Sequence, residues 1–215
     1  MKPRDVGGNY TENYAKKELK QMKNRILKKI IIGIIILFIG FVTLTQINFL
    51  DYETPKKFDE IDKITFANFR GLEFFQNTLY GNEHFAYVKT TIDYEFENDS
   101  IKIESFFHPS SSYVYNKNAF SKELLTHEMF HFKITELYTR IAKKKIIALQ
   151  KPSKNDIKEL IGKIKIEEES YQYKYDDETF HSYVLGKQKK YEKSIDSLLN
   201  LYNNFKNPKI KINEN

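Results

Sequence analysis

Cysteine is absent from the 215 residues. Disulfide staples, thiolate zinc sites and cysteine nucleophiles are therefore excluded, and any metal site must be built from His and carboxylate. A basic excess is also missing from the part of the chain that can fold. The formal net charge is +6, a value that ordinarily suggests nucleic acid. Residues 1–29, however, hold nine basic side chains against three acidic ones, Asp5, Glu12 and Glu18, and this accounts for the whole excess. The remainder is neutral, whereas a face that tracks a phosphate backbone needs its charge inside the folded domain. Nucleic acid is excluded as a partner. No internal repeat is present, and the length suits one ordinary globular domain with accessory segments.

One long apolar run exists. Ile30 to Leu50 contains 21 residues without a charge, and at about 1.5 Å per residue this matches the ~30 Å hydrocarbon core of a bilayer. The run predicts a transmembrane anchor over 30–50. A cleaved signal has a shorter basic region and small residues at its cleavage site, which Thr43–Ile47 does not offer. The basic segment 1–29 then holds the N-terminus in the cytoplasm. The expectation is a single-pass membrane protein whose C-terminal domain is periplasmic or extracellular. Residues 51–63, polar and containing Pro55, read as a linker, and 207–215 as a polar tail.

Between linker and tail, 64–206 reads as an α+β domain. Val88–Phe96 alternates apolar and polar side chains, Glu97-Asn98-Asp99-Ser100 is a turn, and Ile101–Ser105 resumes the alternation. This predicts an antiparallel hairpin at about 86–107, with Ile64–Phe69 as a third strand. After Pro109 the period becomes helical. Ser121 caps a helix to about Leu149, with His127, His131, Ile134, Tyr138 and Ile141 along one stripe. Pro152-Ser153 ends it, and Asn155-Asp156 opens a second helix carrying Ile157, Leu160, Ile161 and Ile164. A third runs from about Ser182 to Phe205. The expected fold is thus a transmembrane helix followed by a zincin-like domain with a small antiparallel sheet and three main helices.

Within the first of those helices stands His127-Glu128-Met129-Phe130-His131, an H-E-x-x-H sequence. Two His residues four apart lie one turn along the same face, so both imidazoles can reach a single ion. Glu128 projects about 100° away, a direction suited to taking a proton from water rather than to binding metal. With five His in the chain, a chance match has a probability of roughly 0.01. Zn2+ fits two His, one further ligand and an exchangeable position. The metzincin continuation fails at Ile134 and Leu137. For the third ligand two residues compete: His181, the sole His downstream, with Asp177 or Glu178 to orient it, and Glu192, in the Glu-x-x-x-Asp form Glu192–Asp196. Glu136 lies about 140° from His131 around the helix and suits a salt bridge better. Tyr138 and His108 are candidate oxyanion partners.

The run Leu124–Arg140 resembles the signature of an uncharacterised bacterial domain family described as secreted zinc-dependent proteases, whose members read roughly leucine-leucine-x-HEQxHFDIxExxxR. The likeness extends to Phe66-x-x-Phe69-Arg70-Gly71, to Ser112-Tyr113, and to Asp177-x-Thr179-x-His181 with Gln188 and Tyr191. It departs at Met129-Phe130, at Lys133 and at Ser182, where a more polar pair, an acid and a glycine are usual. The resemblance implies that His127, Glu128 and His131 serve as in the family, and it favours His181 as a ligand. The function expected is a membrane-anchored zinc-dependent metallohydrolase, a peptidase, with Glu128 as general base and acid. Its substrate is a peptide or protein held in part along the hairpin edge. The alternative is a non-catalytic, zinc-stabilised extracytoplasmic binding module. An intramembrane protease is excluded, because the motif lies far past the apolar run.

Overall fold

A computed structural model describes residues 8–46, 53–71, 86–114 and 121–212, with the side chains of 16–42 in the first of these ranges. The chain forms two compact units, Met1–Leu50 and Asp51–Asn215. In the first, α1 (Gly8–Gln46) is a single helix that passes from the basic residues into the apolar ones without a break at Ile30. Its wholly apolar stretch, Ile30–Val42, is 13 residues long, or about 20 Å, and Thr43, Thr45 and Gln46 follow it. Among the described residues, no helix is long and apolar enough to cross a membrane. The expected transmembrane anchor over 30–50 is thereby corrected: about 20 Å falls short of a ~30 Å hydrocarbon core, and Ile47–Leu50 lie outside the described residues. The single-pass topology rested on that span, with its cytoplasmic N-terminus and its periplasmic or extracellular domain, and falls with it.

The second unit is built on a hairpin. Strands β3 (Thr90–Glu97) and β4 (Ser100–Phe107) pair antiparallel from Thr90 opposite Phe107 to Glu97 opposite Ser100. Asn98 supplies the left-handed turn residue, φ 45°, a conformation its short polar side chain tolerates. Ala86–Tyr87, expected at the start of the hairpin, instead form β2 and pair with β5 (Tyr113–Val114). On its other side β4 takes β1 (Lys56–Lys57) and β6 (Lys209–Lys211).

The segments read as linker and polar tail thus each contribute a short strand to the sheet, and Phe58–Lys63 of the first is 3-10 helix. In the second, buried Ile210 and Ile212 alternate with exposed Lys209 and Lys211, too short an alternation to stand out among lysines. Ile64–Phe69 is not a strand. Phe66–Asn68 is a turn of 3-10 helix, with the Thr65 amide donating to Asn68 Oδ1 at 2.9 Å, a local side-chain bond that competes with sheet pairing.

Three helices follow: α2 (Lys122–Ile147), α3 (Lys154–Thr179) and α4 (Leu185–Leu201). Ser121 caps α2 by accepting from the Leu124 amide at 3.0 Å, and Ser153 with Asp156 forms a capping box on α3. A largely isoleucine core joins sheet to helices: Ile92, Ile101 and Ile103 pack with Ala142 and Ile146 of α2 and with Ile157, Ile161 and Ile164 of α3. A second cluster, with Phe130, Ile134 and Leu137 of α2, Tyr175 of α3 and Ile195 and Leu199 of α4, closes the other side. The helix expected over 182–205 is shorter at both ends. Ser182 is left-handed, and Asn203–Phe205 tightens into 3-10 helix.

Because α2 is enclosed by the sheet, α3 and α4, it buries polar side chains as well as apolar ones. Glu136 accepts from Arg140 Nε and from Ser105 Oγ, both at 2.7 Å, while Arg140 donates to the Leu199 carbonyl at 2.9 Å. Lys143 is buried too, and its ammonium reaches the Lys206 carbonyl at 3.5 Å. Burial lowers its pKa to about 8 against the pull of Glu136. Two substitutions should have opposite effects in urea denaturation. Arg140→Met, which strands the Glu136 carboxylate, destabilises by about 3–5 kcal/mol. Lys143→Met stabilises by about 1–3 kcal/mol at neutral pH. That advantage fades as the pH rises from about 8 towards 10.5, because the folded lysine loses its proton before the unfolded one does.

Candidate metal centre

The apolar stripe that seats α3 on α2 does not end at Ile164. Its three- and four-residue spacing continues through Glu168, Gln172, Tyr175 and Thr179, so the second half of α3 also faces α2. This brings Asp176 against the H-E-x-x-H motif. His127 Nε2 and His131 Nε2 stand 3.3 Å apart, and Asp176 Oδ1 lies 3.0 Å from the first and 2.8 Å from the second. Donors around a tetrahedral zinc ion with bonds of 2.0–2.1 Å are separated by about 3.4 Å. Two nitrogens and one oxygen thus occupy the corners of one face of such a tetrahedron, and among the described residues these three form the group able to hold a metal ion. Tyr175 stacks on His127, with ring centroids 4.6 Å apart, and meets His131 edge-on at 5.1 Å. The two imidazoles are fixed at 83° to each other.

His181 is brought to the same place by an unusual turn. Phe180, His181 and Ser182 are all left-handed, at φ 51°, 49° and 78°. They stop α3 and fold the chain back, so that the His181 amide donates to the Asp176 carbonyl at 3.1 Å. His181 Nδ1 is then 3.5 Å from Asp176 Oδ1, beside the trio and half-buried. Glu192 is engaged elsewhere, accepting from Gln188 Nε2 at 2.9 Å. Asp176, rather than Asp177 or Glu178, is the acid against His181, and Glu178 faces Lys174 and Lys187, each at 3.8 Å. Of the candidate oxyanion partners, His108 is buried with its Nε2 2.8 Å from Thr91 Oγ1. Tyr138 packs on Tyr171.

Glu128 is buried, and the Val88 backbone bonds its carboxylate. Burial raises its pKa to about 7, opposed by His131 and His181. Burial lowers His127 to about 4 against the pull of Asp176. For His131 the same desolvation is outweighed, chiefly by Asp176, and its pKa rises to about 9. Burial also works against ionisation of Asp176, yet the three histidines together hold it well below the usual carboxylate range. Burial, with Glu128 and Glu192, pushes the Tyr175 phenol up. The site thus combines a firmly ionised carboxylate, which favours positive charge beside it, with a carboxylate at Glu128 that can carry a proton near neutrality.

The Gly71 amide donates to the Ser112 carbonyl at 2.7 Å, and a Cβ at Gly71 would come within 2.9 Å of that oxygen. Buried Gln188 donates to the Glu123 carbonyl at 3.2 Å, tying α4 to the first turn of α2. Among known proteins, no family profile, curated protein or solved structure matches the chain.

Asp176→Ala should weaken zinc binding by at least about 100-fold, the upper end of what losing a mere outer-sphere partner costs. Glu192→Gln should leave it unchanged. Competition with a chromogenic chelator reads both.

Proposed function

We propose that the protein is a metal-dependent hydrolase, with zinc the favoured ion, acting on peptide bonds. The observation that carries this reading is the convergence of His127 Nε2, His131 Nε2 and Asp176 Oδ1, all within 3.3 Å of one another, with buried Glu128 beside the first histidine. The donor set fits zinc in type and spacing and leaves a fourth position for water or substrate. When bound, the ion supplies Lewis acidity to a carbonyl oxygen and to water. The chain supplies the rest. His127, His131 and Asp176 hold the ion, and Tyr175 fixes the imidazole planes. The Glu128 carboxylate takes the proton of the attacking water and delivers it to the leaving nitrogen. Burial of the Glu128 carboxylate favours the protonated state that the second half of that task needs. Among the described residues, β3 pairs only with β4 and leaves its outer edge open, which supports an extended peptide as the substrate.

His181 favours a second reading. At 3.5 Å from Asp176 Oδ1 it stands beside the three donors but outside the group close enough to share one ion; were its ring to turn inward it would close the shell, and a closed shell stabilises a fold without catalysing. The two readings separate on Glu128→Gln. For the hydrolase, the purified variant keeps stoichiometric zinc and loses about 100-fold or more of wild-type cleavage of an unstructured protein such as casein. Equal turnover in both proteins removes Glu128 from the chemistry. Tight zinc with no turnover in wild type, together with unfolding on chelation, selects the binding module.

A further inference from the structure

A histidine that binds a metal through Nε2 must carry its hydrogen on Nδ1, and an acceptor facing Nδ1 fixes that state. In His131 the atom facing Nδ1 is Gln172 Oε1. The orientation of the amide is set by its surroundings. Gln172 Nε2 lies 2.7 Å from Glu168 Oε1, 2.9 Å from the His131 carbonyl and 3.2 Å from Thr135 Oγ1. A carboxylate and a carbonyl only accept, so the nitrogen must point there and the oxygen must accept from His131. Glu168 is itself held by the Thr135 hydroxyl at 2.7 Å, and Thr90 Oγ1 on β3 lies 2.7 Å from Thr135 Oγ1. His127 has no such device. Its Nδ1 is buried with no hydrogen-bond partner among the described residues, and Tyr175 stacking orients the ring instead.

We infer that Gln172 is a positioning residue that presents the His131 Nε2 lone pair to the metal, and that Glu168 keeps Gln172 the right way round. The inference rests on the metal-site reading and extends it to residues that touch neither metal nor substrate. Nothing else among the described residues fixes the imidazole in this way, and the chain from Thr90 through Thr135, Glu168 and Gln172 joins the ligand to strand β3.

The test uses the full chain and measures Zn2+ affinity by chelator competition and the Co2+ absorption spectrum. Gln172→Leu, which removes the acceptor, should weaken Zn2+ binding about 10- to 100-fold and change the Co2+ bands. Glu168→Gln should weaken it in the same direction but by less, because the His131 carbonyl alone then keeps the Gln172 amide oriented. In the Zn2+-loaded wild type the His131 ring hydrogen should appear on Nδ1 as a downfield, hydrogen-bonded proton in the long-range 1H–15N spectrum, and Gln172→Leu should abolish that downfield shift while leaving the His127 ring signals in place. A purely structural role predicts no change confined to the His131 ring.

Wild-type affinity in Gln172→Leu overturns the inference, as does a His131 Nδ1 proton signal unchanged by that substitution. Both outcomes leave the metal site standing. A wild-type chain that binds no Zn2+ overturns the site and the inference together, whereas tight binding without hydrolysis overturns only the enzymatic reading.

Discussion

One carboxylate oxygen organises the second unit. Asp176 Oδ1 faces nitrogens of His127, His131 and His181 at 3.0, 2.8 and 3.5 Å, so α2, α3 and the turn after α3 meet at a single charged atom. Burying a carboxylate costs several kcal/mol unless positive or donor groups surround it, and here three imidazoles do so. The geometry demands that α3 hold its phase against α2 over its whole length. The isoleucine cluster does this at one end and the Gln172, Glu168 and Thr135 network nearer the site. The turn beyond Asp176 carries three successive left-handed residues without glycine, each costing of order 1–2 kcal/mol. The Val184 amide bonding the Thr179 carbonyl at 2.9 Å, and His181 against Asp176, help to offset that strain. Strain of this kind collects at functional positions, and it sits here on the residue that lies against Asp176 beside the three donors.

Helix α2 serves two purposes along one axis. Its N-terminal half presents His127, Glu128 and His131 to the site, and its C-terminal half buries Glu136, Arg140 and Lys143. The Arg140 and Glu136 pair is fully partnered by Ser105 and the Leu199 carbonyl, so it fastens the sheet and α4 to the helix that bears the ligands. Among the described residues, no carboxylate partners Lys143 in that way. The contrast shows that burial of charge in α2 is not uniformly stabilising, and that the half of the helix remote from the site sets its position.

The parts legible in the sequence are those with a local physical signature. The H-E-x-x-H helix, its Ser121 cap and the hairpin turn at Asn98 each declare themselves within a few residues, through period, capping chemistry and turn propensity. Asp176 does not. Residues 167–178 contain six acidic side chains, and no local feature distinguishes the one that points inward from those that are solvated. Its phase is set by Ile157, Ile161 and Ile164, a dozen or more residues earlier, and extending that stripe leads to Gln172 and Tyr175, with Asp176 next to them. Strands β1 and β6 are two and three residues long and owe their structure to distant β4, so no local pattern marks them. The apolar run after Lys29 shows the opposite error. Its lack of charge suggested a bilayer span, while the wholly apolar part of α1 is about 20 Å long.

The central claim is that Asp176, with His127 and His131, forms one metal centre. Anomalous diffraction at the zinc edge, on crystals grown with equimolar Zn2+, tests it most directly. The account predicts a single strong peak at about 2.0–2.2 Å from His127 Nε2, His131 Nε2 and Asp176 Oδ1. An ion bound through Glu192 with Asp176 outside its shell, or no peak at the two histidines, would contradict it.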